Sequence, residues 1–354
     1  MIKIKRKIIL VVLLIIITCS LYLGCTIIAV SVYSHAFARV NEFSEKLFRP
    51  YYTLKEINQK GYLHEEVFFN SGKNKLQGFI FGSQNDKGLI VISQGLGSTV
   101  TNYFNLIMNF VDNGWRVFAY NNTGVGGSEG NSVRGLTQSV IDLDAALTFV
   151  KNTGSFNGLP VMLAGHSWGG YAVCAVLNFD HHSINAVVSF AGYNIANHVI
   201  KERGVSMAGG IYYLITPQVC IIEQIMFGNK AKLTAVDGIN NTNIPIMIVQ
   251  CSDDDIISAD NTSIYAHRAK ITNPNVIIYY REGNEATGHE YPFCSTEQRD
   301  YMIKAQNSFA AYKAENKNAC RLTWAKEFNF NKELANQLDT SLMISINELF
   351  DNVR

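Results

Sequence analysis

Two serines in this sequence have the spacing Gly-x-Ser-x-Gly, which is typical of a serine nucleophile on a sharp turn. They are Ser167, in "VMLAGHSWGG" (161–170), and Ser128, in "GVGGSEGNS" (124–132). Such a nucleophile needs a buried strand that leads straight into the turn, and a helix that begins at the serine. Ser167 follows the apolar run "LPVMLAG" and precedes the helical pattern "SWGGYAVCAVLNF", whereas Ser128 has loop sequence on both sides. We therefore predict that Ser167 is the nucleophile and that Ser128 is a loop serine.

A nucleophilic serine needs a base within hydrogen-bond reach, and the base needs an acid that orients it. On a strand-turn-helix scaffold of this kind, the acid and then the histidine follow the serine along the chain. After the strand-like run "IPIMIVQC" come three carboxylates, Asp253, Asp254 and Asp255, and their position alone leaves all three open. Of the two later histidines, His267 lies in a helical pattern and His289 lies in the loop after the last strand-like run. Elimination therefore favours His289 as the base.

The remaining part of such a site is a pair of backbone N–H groups that stabilise the negative oxygen of a tetrahedral intermediate. One donor should be the N–H of Trp168, directly after the nucleophile, and the other should come from the loop after the third strand. That loop reads "ISQGLGSTVTNY", in which Gly95 and Gly97 allow the backbone to turn inward. We predict the N–H of Leu96 as the second donor, with a plain glycine turn as the alternative.

Four motifs, in this order, resemble those of the α/β-hydrolase superfamily, and most closely its serine aminopeptidase/monoglyceride-lipase-like branch. "GHSWGG" is similar to the elbow of that branch, "NNTGVGGSEG" to its D-x-R-G-x-G-x-S loop, "CSDDDIIS" to its G-x-x-D-x-x-V motif and "GHE" to its histidine loop. The resemblance covers roughly residues 62–315. It selects Asp254 among the three aspartates, and so implies a catalytic triad of Ser167, Asp254 and His289. It also places Ser128 in a structural turn.

The sequence departs from the family pattern at two places. Gln94 stands where the family often has a histidine before the oxyanion glycine, and Asn121 and Thr123 replace the Asp and Arg of the turn. These departures concern the oxyanion site and the substrate. The resemblance still implies the α/β-hydrolase fold.

The order of elements supports the same fold class. Eight strand-like runs follow the N-terminal region: "EEVFFN", "LQGFIFG", "GLIVISQ", "WRVFAYN", "LPVMLAG", "INAVVSFAG", "IPIMIVQC" and "NVIIYYR". Helical patterns separate them, namely "NYFNLIMNFVDNG", "LTQSVIDLDAALTFVKN", the run after Ser167 and "DNTSIYAHRAK". An early hairpin followed by strand–helix alternation predicts an α/β protein with a mostly parallel eight-stranded sheet and helices on both faces.

One segment, at about 192–240, is too long for a single crossover helix and contains the apolar run "MAGGIYYLITPQVCIIEQIMFG". Pro217, Gln218 and Glu223 interrupt this run and argue against a second membrane span. We predict a helical lid insertion over the active edge, with several of its apolar side chains lining an acyl pocket. Ordinary core helices are the alternative.

The first residues predict a membrane anchor. Basic "MIKIKRK" precedes an uncharged stretch at 8–33, and about 20 apolar helical residues are enough to cross a bilayer. We expect an anchor at 1–33, a tether at 34–60 and the hydrolase domain at 61–354. The basic N-terminal side predicts a cytoplasmic N-terminus and an extracytoplasmic catalytic domain. The alternative is a secreted protein, after cleavage at the A-x-A sequence of Ala36 and Ala38.

Composition limits the partners. Of 354 residues, 30 are basic and 29 acidic, which gives a net charge of +1 without a basic cluster beyond the N-terminus, so nucleic acid is not expected as a partner. "GVGGSEG" lacks the third glycine of a dinucleotide loop, and the histidines of "DHHS" (180–183) are interpreted as surface residues, so no cofactor and no metal are expected.

The expected substrate is a small-molecule ester with a short-to-medium acyl chain. A serine aminopeptidase and a non-catalytic binding protein on the same fold are the alternatives.

Overall fold

One eight-stranded sheet organises the computed structural model, which describes residues 2–41, 48–316 and 319–353. The strands are β1 (His64–Ser71), β2 (Asn74–Phe81), β3 (Leu89–Ser93), β4 (Arg116–Tyr120), β5 (Val161–His166), β6 (Ala186–Phe190), β7 (Ile246–Cys251) and β8 (Val276–Arg281). Their order across the sheet is β1-β2-β4-β3-β5-β6-β7-β8. β2 pairs antiparallel with both β1 and β4, and every other neighbouring pair is parallel. The predicted mostly parallel sheet is confirmed.

Helices cover both faces of this sheet, and each face has its own apolar core. The helices are α1 (Ile2–Ala36), α2 (Leu54–Gln59), α3 (Phe104–Asp112), α4 (Gln138–Asn152), α5 (Trp168–Ala175), α6 (Ala196–Ala208), α7 (Thr216–Phe227), α8 (Ala235–Asn240), α9 (Thr296–Glu315), α10 (Arg321–Glu327), α11 (Lys332–Ala335) and α12 (Thr340–Asp351). The end of α1 packs with α4 to α8 on one face, and α2, α3 and α12 pack on the other. Strands β3, β6 and β7 are buried at every residue, which explains their continuous apolar sequences.

The pattern "DNTSIYAHRAK" forms much less helix than predicted, because only Tyr265–Lys270 becomes a short 3₁₀ helix. The polar residues before it make local turns instead. The N–H groups of Asn261, Thr262 and Ser263 all donate to the carbonyl of Ser258, and the Ser263 hydroxyl donates to the carbonyl of Ala259. The Ser263 hydroxyl also accepts from the N–H of Ala266, and side-chain bonds of this kind compete with helical hydrogen bonds.

The predicted insertion between β6 and β7 is helical. It consists of α6, a 3₁₀ turn at Gly209–Leu214, α7, a second 3₁₀ turn at Gly228–Lys232, and α8. It contacts a loop at the carboxyl edge of the sheet, since a guanidinium nitrogen of Arg203 donates to the carbonyl of Asp255 at 2.9 Å. Met207, Ile211 and Ile225 are among several large apolar side chains that it exposes, and its role as a lid stays a prediction. Those side chains do not line an enclosed pocket.

Helix α1 is apolar enough to cross a membrane over Arg6–Ala36, with a mean hydropathy of 2.9 in its most apolar window. By length and composition alone, a membrane span and a signal sequence fit this helix equally. Within the described residues, the insertion passes the same test only if its two halves, Ala196–Leu214 and Thr216–Asn240, are taken as one span bent by 102°. Glu223 lies in the second half and is fully buried against protein.

The last turns of α1 belong to the packed structure. Ala29, Tyr33 and Phe37 recur every four residues, lie on one side of the chain and are buried in the core. The Tyr33 hydroxyl donates to Glu223 Oε1 at 2.6 Å. Glu223 also accepts from the Leu136 N–H at 3.3 Å and the Thr137 hydroxyl at 3.2 Å.

The chain after α1 continues along the domain surface. Ala38 and Val40 form bridges with Ser132 and Val125, and the Arg39 guanidinium donates to backbone carbonyls at 126, 128 and 130. Of the predicted tether at 34–60, residues 42–47 lie outside the described residues, and Tyr52 and Ile57 are buried. The boundaries at 33/34 and 60/61 stay a prediction.

The Tyr33 contact leads to a stability prediction. Tyr33→Phe removes one of the three donors to a buried carboxylate, so we expect the free energy of unfolding to fall by about 1–3 kcal/mol. Tyr193→Phe is the matched control, because Tyr193 is buried and its hydroxyl has no hydrogen-bond partner among the described residues. The control should lose nothing. Thermal unfolding of the full chain in mild detergent measures both, and equal melting temperatures would contradict the role of the Tyr33 hydroxyl.

Candidate active site

Ser167 sits on a strained turn between β5 and α5. Its φ of 55° and ψ of −110° lie outside the usual regions for a residue with a side chain, and its N–H donates to the carbonyl of Phe190 at 2.8 Å. β5 ends one residue before the serine and α5 begins one residue after it. The backbone of a buried strand and a buried helix therefore holds the hydroxyl at the carboxyl edge of the sheet, where strain is tolerated because its surroundings are fixed.

The glycines beside Ser167 allow the close contacts of this turn. A Cβ added to Gly169 would lie 1.9 Å from the carbonyl oxygen of Ser93, and one added to Gly165 would lie 2.3 Å from that of Gly169. Both obstacles are backbone atoms, so no side-chain rotation relieves them. The spacing Gly-x-Ser-x-Gly is thus a packing requirement at this turn.

The structure brings His289 and Asp254 to Ser167. His289 Nε2 lies 2.9 Å from Ser167 Oγ, and His289 Nδ1 lies 2.9 Å from Asp254 Oδ2 and 3.0 Å from Oδ1. All three side chains are buried. Because a carboxylate only accepts hydrogen bonds, Nδ1 carries the proton and Nε2 accepts from the serine hydroxyl. This arrangement can move a proton from Ser167 to His289.

Of the three neighbouring aspartates, only Asp254 faces the histidine ring. Its Oδ1 accepts from the N–H groups of Ile256 and Ile257 at 3.0 and 2.7 Å, and its Oδ2 accepts from the Gln250 amide at 3.1 Å. These donors stabilise a negative charge that burial would otherwise penalise. Asp253 and Asp255 are exposed, and Asp253 instead accepts from the Gly288 N–H in the histidine loop.

The two predicted oxyanion donors have no acceptor among the described residues. Within the described part of the chain, the N–H groups of Leu96 and Trp168 make no hydrogen bond. Trp168 is the first residue of α5, where the first N–H groups have no partner inside the helix. Gly97 turns the other loop with a φ of 81°. Both groups can therefore donate to a bound anion, and nearby Gln94 is buried with neither amide atom bonded to another described residue.

Sequence reasoning missed two residues that connect these loops, Tyr103 and His166. The Gly95 N–H donates to the Tyr103 hydroxyl at 2.7 Å, the hydroxyl lies 2.9 Å from His166 Nδ1, and His166 Nε2 lies 2.9 Å from the carbonyl oxygen of His289. Burial, and then the charge of His289, lower the pKa of His166 to about 3, so it stays neutral and positions its neighbours. The available signal was the histidine directly before the nucleophile in "GHSWGG".

Helix α1 connects to the nucleophile turn through hydrogen bonds. The Trp168 indole donates to the carbonyl of Leu136 at 2.6 Å, the Leu136 N–H donates to Glu223, and Glu223 accepts from Tyr33 of α1. One chain of contacts thus joins α1, the insertion and the helix that begins after Ser167.

Ser128 lies in a different environment. Its hydroxyl donates to the carbonyl of Asn121 at 2.6 Å and accepts from the Gln77 N–H at 2.9 Å, and it is buried. In the same turn, Thr123 bonds to the buried Asp142 through its N–H and its hydroxyl. Both of the hydrogen bonds of the Ser128 hydroxyl are therefore backbone contacts that stabilise the turn.

The two histidines of "DHHS" make a contact that the sequence did not predict. His181 and His182 each place Nε2 2.7 Å from one oxygen of Asp144 on α4. Three potential ligand atoms thus lie within 4.8 Å of one another. His181 and His182 lie just before β6, whereas Ser167 lies just after the parallel strand β5. The group therefore lies at the opposite edge of the sheet from Ser167.

Comparisons with known proteins bear on the family and the fold. A family model described as "Serine aminopeptidase, S33" matches residues 84–226, a stretch that includes Ser167 but not Asp254 or His289. The esterase Pf2001 of Pyrococcus furiosus superposes with a TM-score of 0.54 at 16% identity, covering 82% of this chain and 98% of its own. A second crystal form of that esterase gives a TM-score of 0.53 at 14% identity, with 77% and 98% covered. Among curated proteins, no sequence matches this chain. The solved structures show a shared fold.

Proposed function

Starting from a chain that has the α/β-hydrolase fold, we propose that it is a membrane-tethered serine hydrolase that cleaves carboxylic esters through an acyl-enzyme. The observation that carries this proposal is the 2.9 Å contact between His289 Nε2 and Ser167 Oγ, with Asp254 on the other ring nitrogen. Ser167 is the nucleophile, His289 the general base and Asp254 the residue that orients it. The N–H groups of Leu96 and Trp168 hold the oxyanion.

The proposed reaction has two symmetrical halves. Ser167 Oγ attacks the carbonyl carbon of the ester while its proton moves to His289 Nε2, and Asp254 stabilises the resulting imidazolium. His289 then gives this proton to the oxygen of the departing alcohol, which leaves an acyl group on Ser167. A water molecule gives its proton to His289 and attacks the acyl carbon, and the serine regains its proton as the acid departs.

Labelling with a fluorophosphonate probe tests this proposal directly. The probe reacts only with an activated serine, so the full chain should be labelled once, at Ser167. A Ser128→Ala variant should be labelled equally. Failure to label the folded full chain would instead support the alternative of a binding protein on a hydrolase fold.

The charges around the site favour an ester over a peptide substrate. An aminopeptidase needs an anionic group that holds the ammonium of its substrate. In the insertion, Glu223 is occupied by three donors, and Glu202 bonds to Asn261 and Thr262. The third carboxylate, Asp237, is exposed on α8, which packs against the C-terminal end of α5, whereas Ser167 precedes its first residue. One observation keeps the aminopeptidase alternative open, because Glu290 is exposed directly after His289.

A substrate series separates the two activities. We expect the full chain to cleave p-nitrophenyl esters of two to twelve carbons with a maximum at short-to-medium length, since each buried CH₂ adds about 0.8 kcal/mol while the acyl site lasts. Aminoacyl-nitroanilides should react more slowly, and Glu290→Gln should not change the ester rates. Faster cleavage of the nitroanilides, together with its loss in Glu290→Gln, would favour the aminopeptidase.

The proposed location is a single-pass membrane protein with a cytoplasmic N-terminus and an extracytoplasmic domain. Arg6 and Lys7 precede the uncharged stretch of α1, which fits the bias of positive charge toward the cytoplasm. Cleavage after Ala38 would remove Tyr33 and Phe37 from the core, so packing favours an uncleaved anchor over a secreted enzyme.

Proteolysis of intact cells tests this location. An added protease should degrade the domain without lysis, and the purified protein should retain an N-terminus before residue 34. Recovery of a soluble protein that begins at Arg39 would show that the helix is a cleaved signal. Protection of the domain until lysis would reverse the topology.

A further inference from the structure

The insertion exposes an apolar surface that the proposed reaction does not explain. Between Arg203 and Glu223 the sequence has no charged residue. Large apolar side chains of α6, the following 3₁₀ turn and α7 point outward, with exposed fractions of 81% for Met207, 68% for Ile211 and 78% for Ile225. Together with three neighbours they form what we call the apolar lid face: Met207, Ile211, Tyr213, Leu214, Ile221 and Ile225.

The opposite side of the same segment is also apolar. Tyr212, Ile215, Val219 and Phe227 are buried against the domain. A helix that is apolar on most sides is normally covered on most sides, either by protein or by lipid. The domain covers only one side here, and a contiguous exposed apolar surface on a protein marks an interaction site.

The position of α1 identifies what covers the other side. About 20 residues of helix span the hydrocarbon core of a bilayer. Counted from Ile8, directly after the last basic residue, this span ends near Ile27. Cys25 of helix α1 packs against the core and Ala29 is fully buried, so the helix reaches the domain where it leaves the hydrocarbon. The contact between α1 and the insertion is the hydrogen bond from Tyr33 to Glu223. Glu223 lies on α7, the helix that also carries Ile221 and Ile225.

Basic residues lie on both sides of the uncharged run that carries the apolar lid face. Lys201 precedes the uncharged run, and Lys230 and Lys232 follow it. The Lys201 ammonium lies 5.4 Å from the centre of the Tyr213 ring, so a basic and an aromatic side chain meet at the edge of the apolar lid face. A lysine that flanks an apolar surface can keep its methylene stem in the apolar layer and its ammonium group among the lipid headgroups.

We propose that the apolar lid face is embedded in the membrane leaflet at which α1 ends, and that the enzyme takes its acyl ester from a lipid of that leaflet. The proposal rests on the proposed anchor and esterase activity. The insertion joins the leaflet to the site, since it contacts the Asp254 loop through Arg203, and Glu223 is linked to Trp168 through the backbone of Leu136. In this proposal the lipid ester enters the site beside the insertion and does not cross bulk water.

Tryptophan quenching tests membrane contact without any need for activity. The three native tryptophans are buried, with exposed fractions of 0% for Trp115, 1% for Trp168 and 5% for Trp324, so an added surface tryptophan can be compared with the unsubstituted chain. We expect a Leu214→Trp variant of the full chain, reconstituted in phosphatidylcholine vesicles, to lose fluorescence when the acyl chains carry bromine. Ile344→Trp is the matched control, because Ile344 is 54% exposed, against 62% for Leu214, and lies on α12 on the other sheet face. Equal quenching of the two variants would overturn the proposal.

A second measurement tests delivery of the substrate. The double variant Leu214→Glu/Ile225→Glu should cleave a monoacylglycerol in vesicles about tenfold more slowly, because a carboxylate is costly to bring into the apolar layer. Its rate on water-soluble p-nitrophenyl acetate should stay unchanged, as should both rates of Ile344→Glu. An equal loss on both substrates would contradict lipid delivery. If the unsubstituted chain cleaves no ester at all, the proposed function fails, and quenching still decides whether the face lies in the membrane.

Discussion

Ser167→Ala should lower kcat for ester hydrolysis by about 10⁶-fold, the scale typical of removing a catalytic serine. The variant keeps the backbone of the turn, since alanine has a Cβ like serine and meets the same strain at a φ of 55°. Substrate binding should survive, because the donors of Leu96 and Trp168 are backbone groups. The loss should therefore appear in kcat, with KM largely unchanged. A p-nitrophenyl butyrate assay, together with a thermal melt that verifies folding, measures both.

Ser128→Ala is the control for this experiment, because Ser128 has the same Gly-x-Ser-x-Gly spacing. Its hydroxyl bonds only to backbone groups of Asn121 and Gln77, so the variant should lose some stability and keep most of its activity at low temperature. If both folded variants lost activity equally, Ser167 would not be the nucleophile. If only Ser128→Ala lost it, the assignment of the two serines would be reversed.

Much of the fold could be predicted because central parallel strands have a simple sequence signature. Strands β3, β6 and β7 are buried on both faces and read as unbroken apolar runs, and the nucleophile turn requires glycines at fixed positions. Helical periodicity was a weaker guide, since the polar residues before Tyr265 form turns in place of the predicted helix. Local hydrogen bonds of short polar side chains decide such cases.

The contacts that could not be predicted join residues far apart in the chain. Tyr33 and Glu223 are separated by 190 residues, and Tyr103 and His166 by 63. No periodicity specifies such pairs, because each partner alone looks like an ordinary aromatic, acidic or histidine residue. The apolar residues of the insertion were expected to line a pocket, and composition could not reveal that several of them face outward.

The acid of the proposed triad could be predicted only in part from the sequence. Spacing left Asp253, Asp254 and Asp255 open, and only the resemblance to a known motif selected Asp254. The structure adds a physical reason, since the N–H groups of Ile256 and Ile257 hold one oxygen of Asp254 and turn the carboxylate toward His289. The catalytic role of Asp254 stays a prediction that mutagenesis can decide.

Asp254→Asn should lower kcat by about 10⁴-fold, the scale expected when the histidine is held in the wrong tautomer. The two backbone N–H groups bonded to Oδ1 require an acceptor, so they orient the carbonyl oxygen of the new amide toward themselves. The amide NH₂ then takes the place of Oδ2 and faces His289 Nδ1. A donor at this position moves the ring proton to Nε2, which can no longer accept the proton of Ser167. Gln250 must rotate its amide to fit this orientation, because its Nε2 donates to Oδ2 in the structure; its Oε1, which has no partner among the described residues, then accepts from the new NH₂.

The neighbouring aspartates provide matched controls for this prediction, because each substitution removes the same charge within one residue of Asp254. Asp255 contacts the insertion only through its backbone carbonyl, so Asp255→Asn should leave kcat nearly unchanged. Asp253 bonds to the Gly288 N–H, which an asparagine oxygen can also accept, so Asp253→Asn should have a small effect. Steady-state kinetics of the three variants on one soluble ester compare them directly. A larger loss at Asp255 than at Asp254 would mean that the acid is misassigned by one residue, and equal losses at all three would mean that net charge, and not the tautomer of His289, controls the rate.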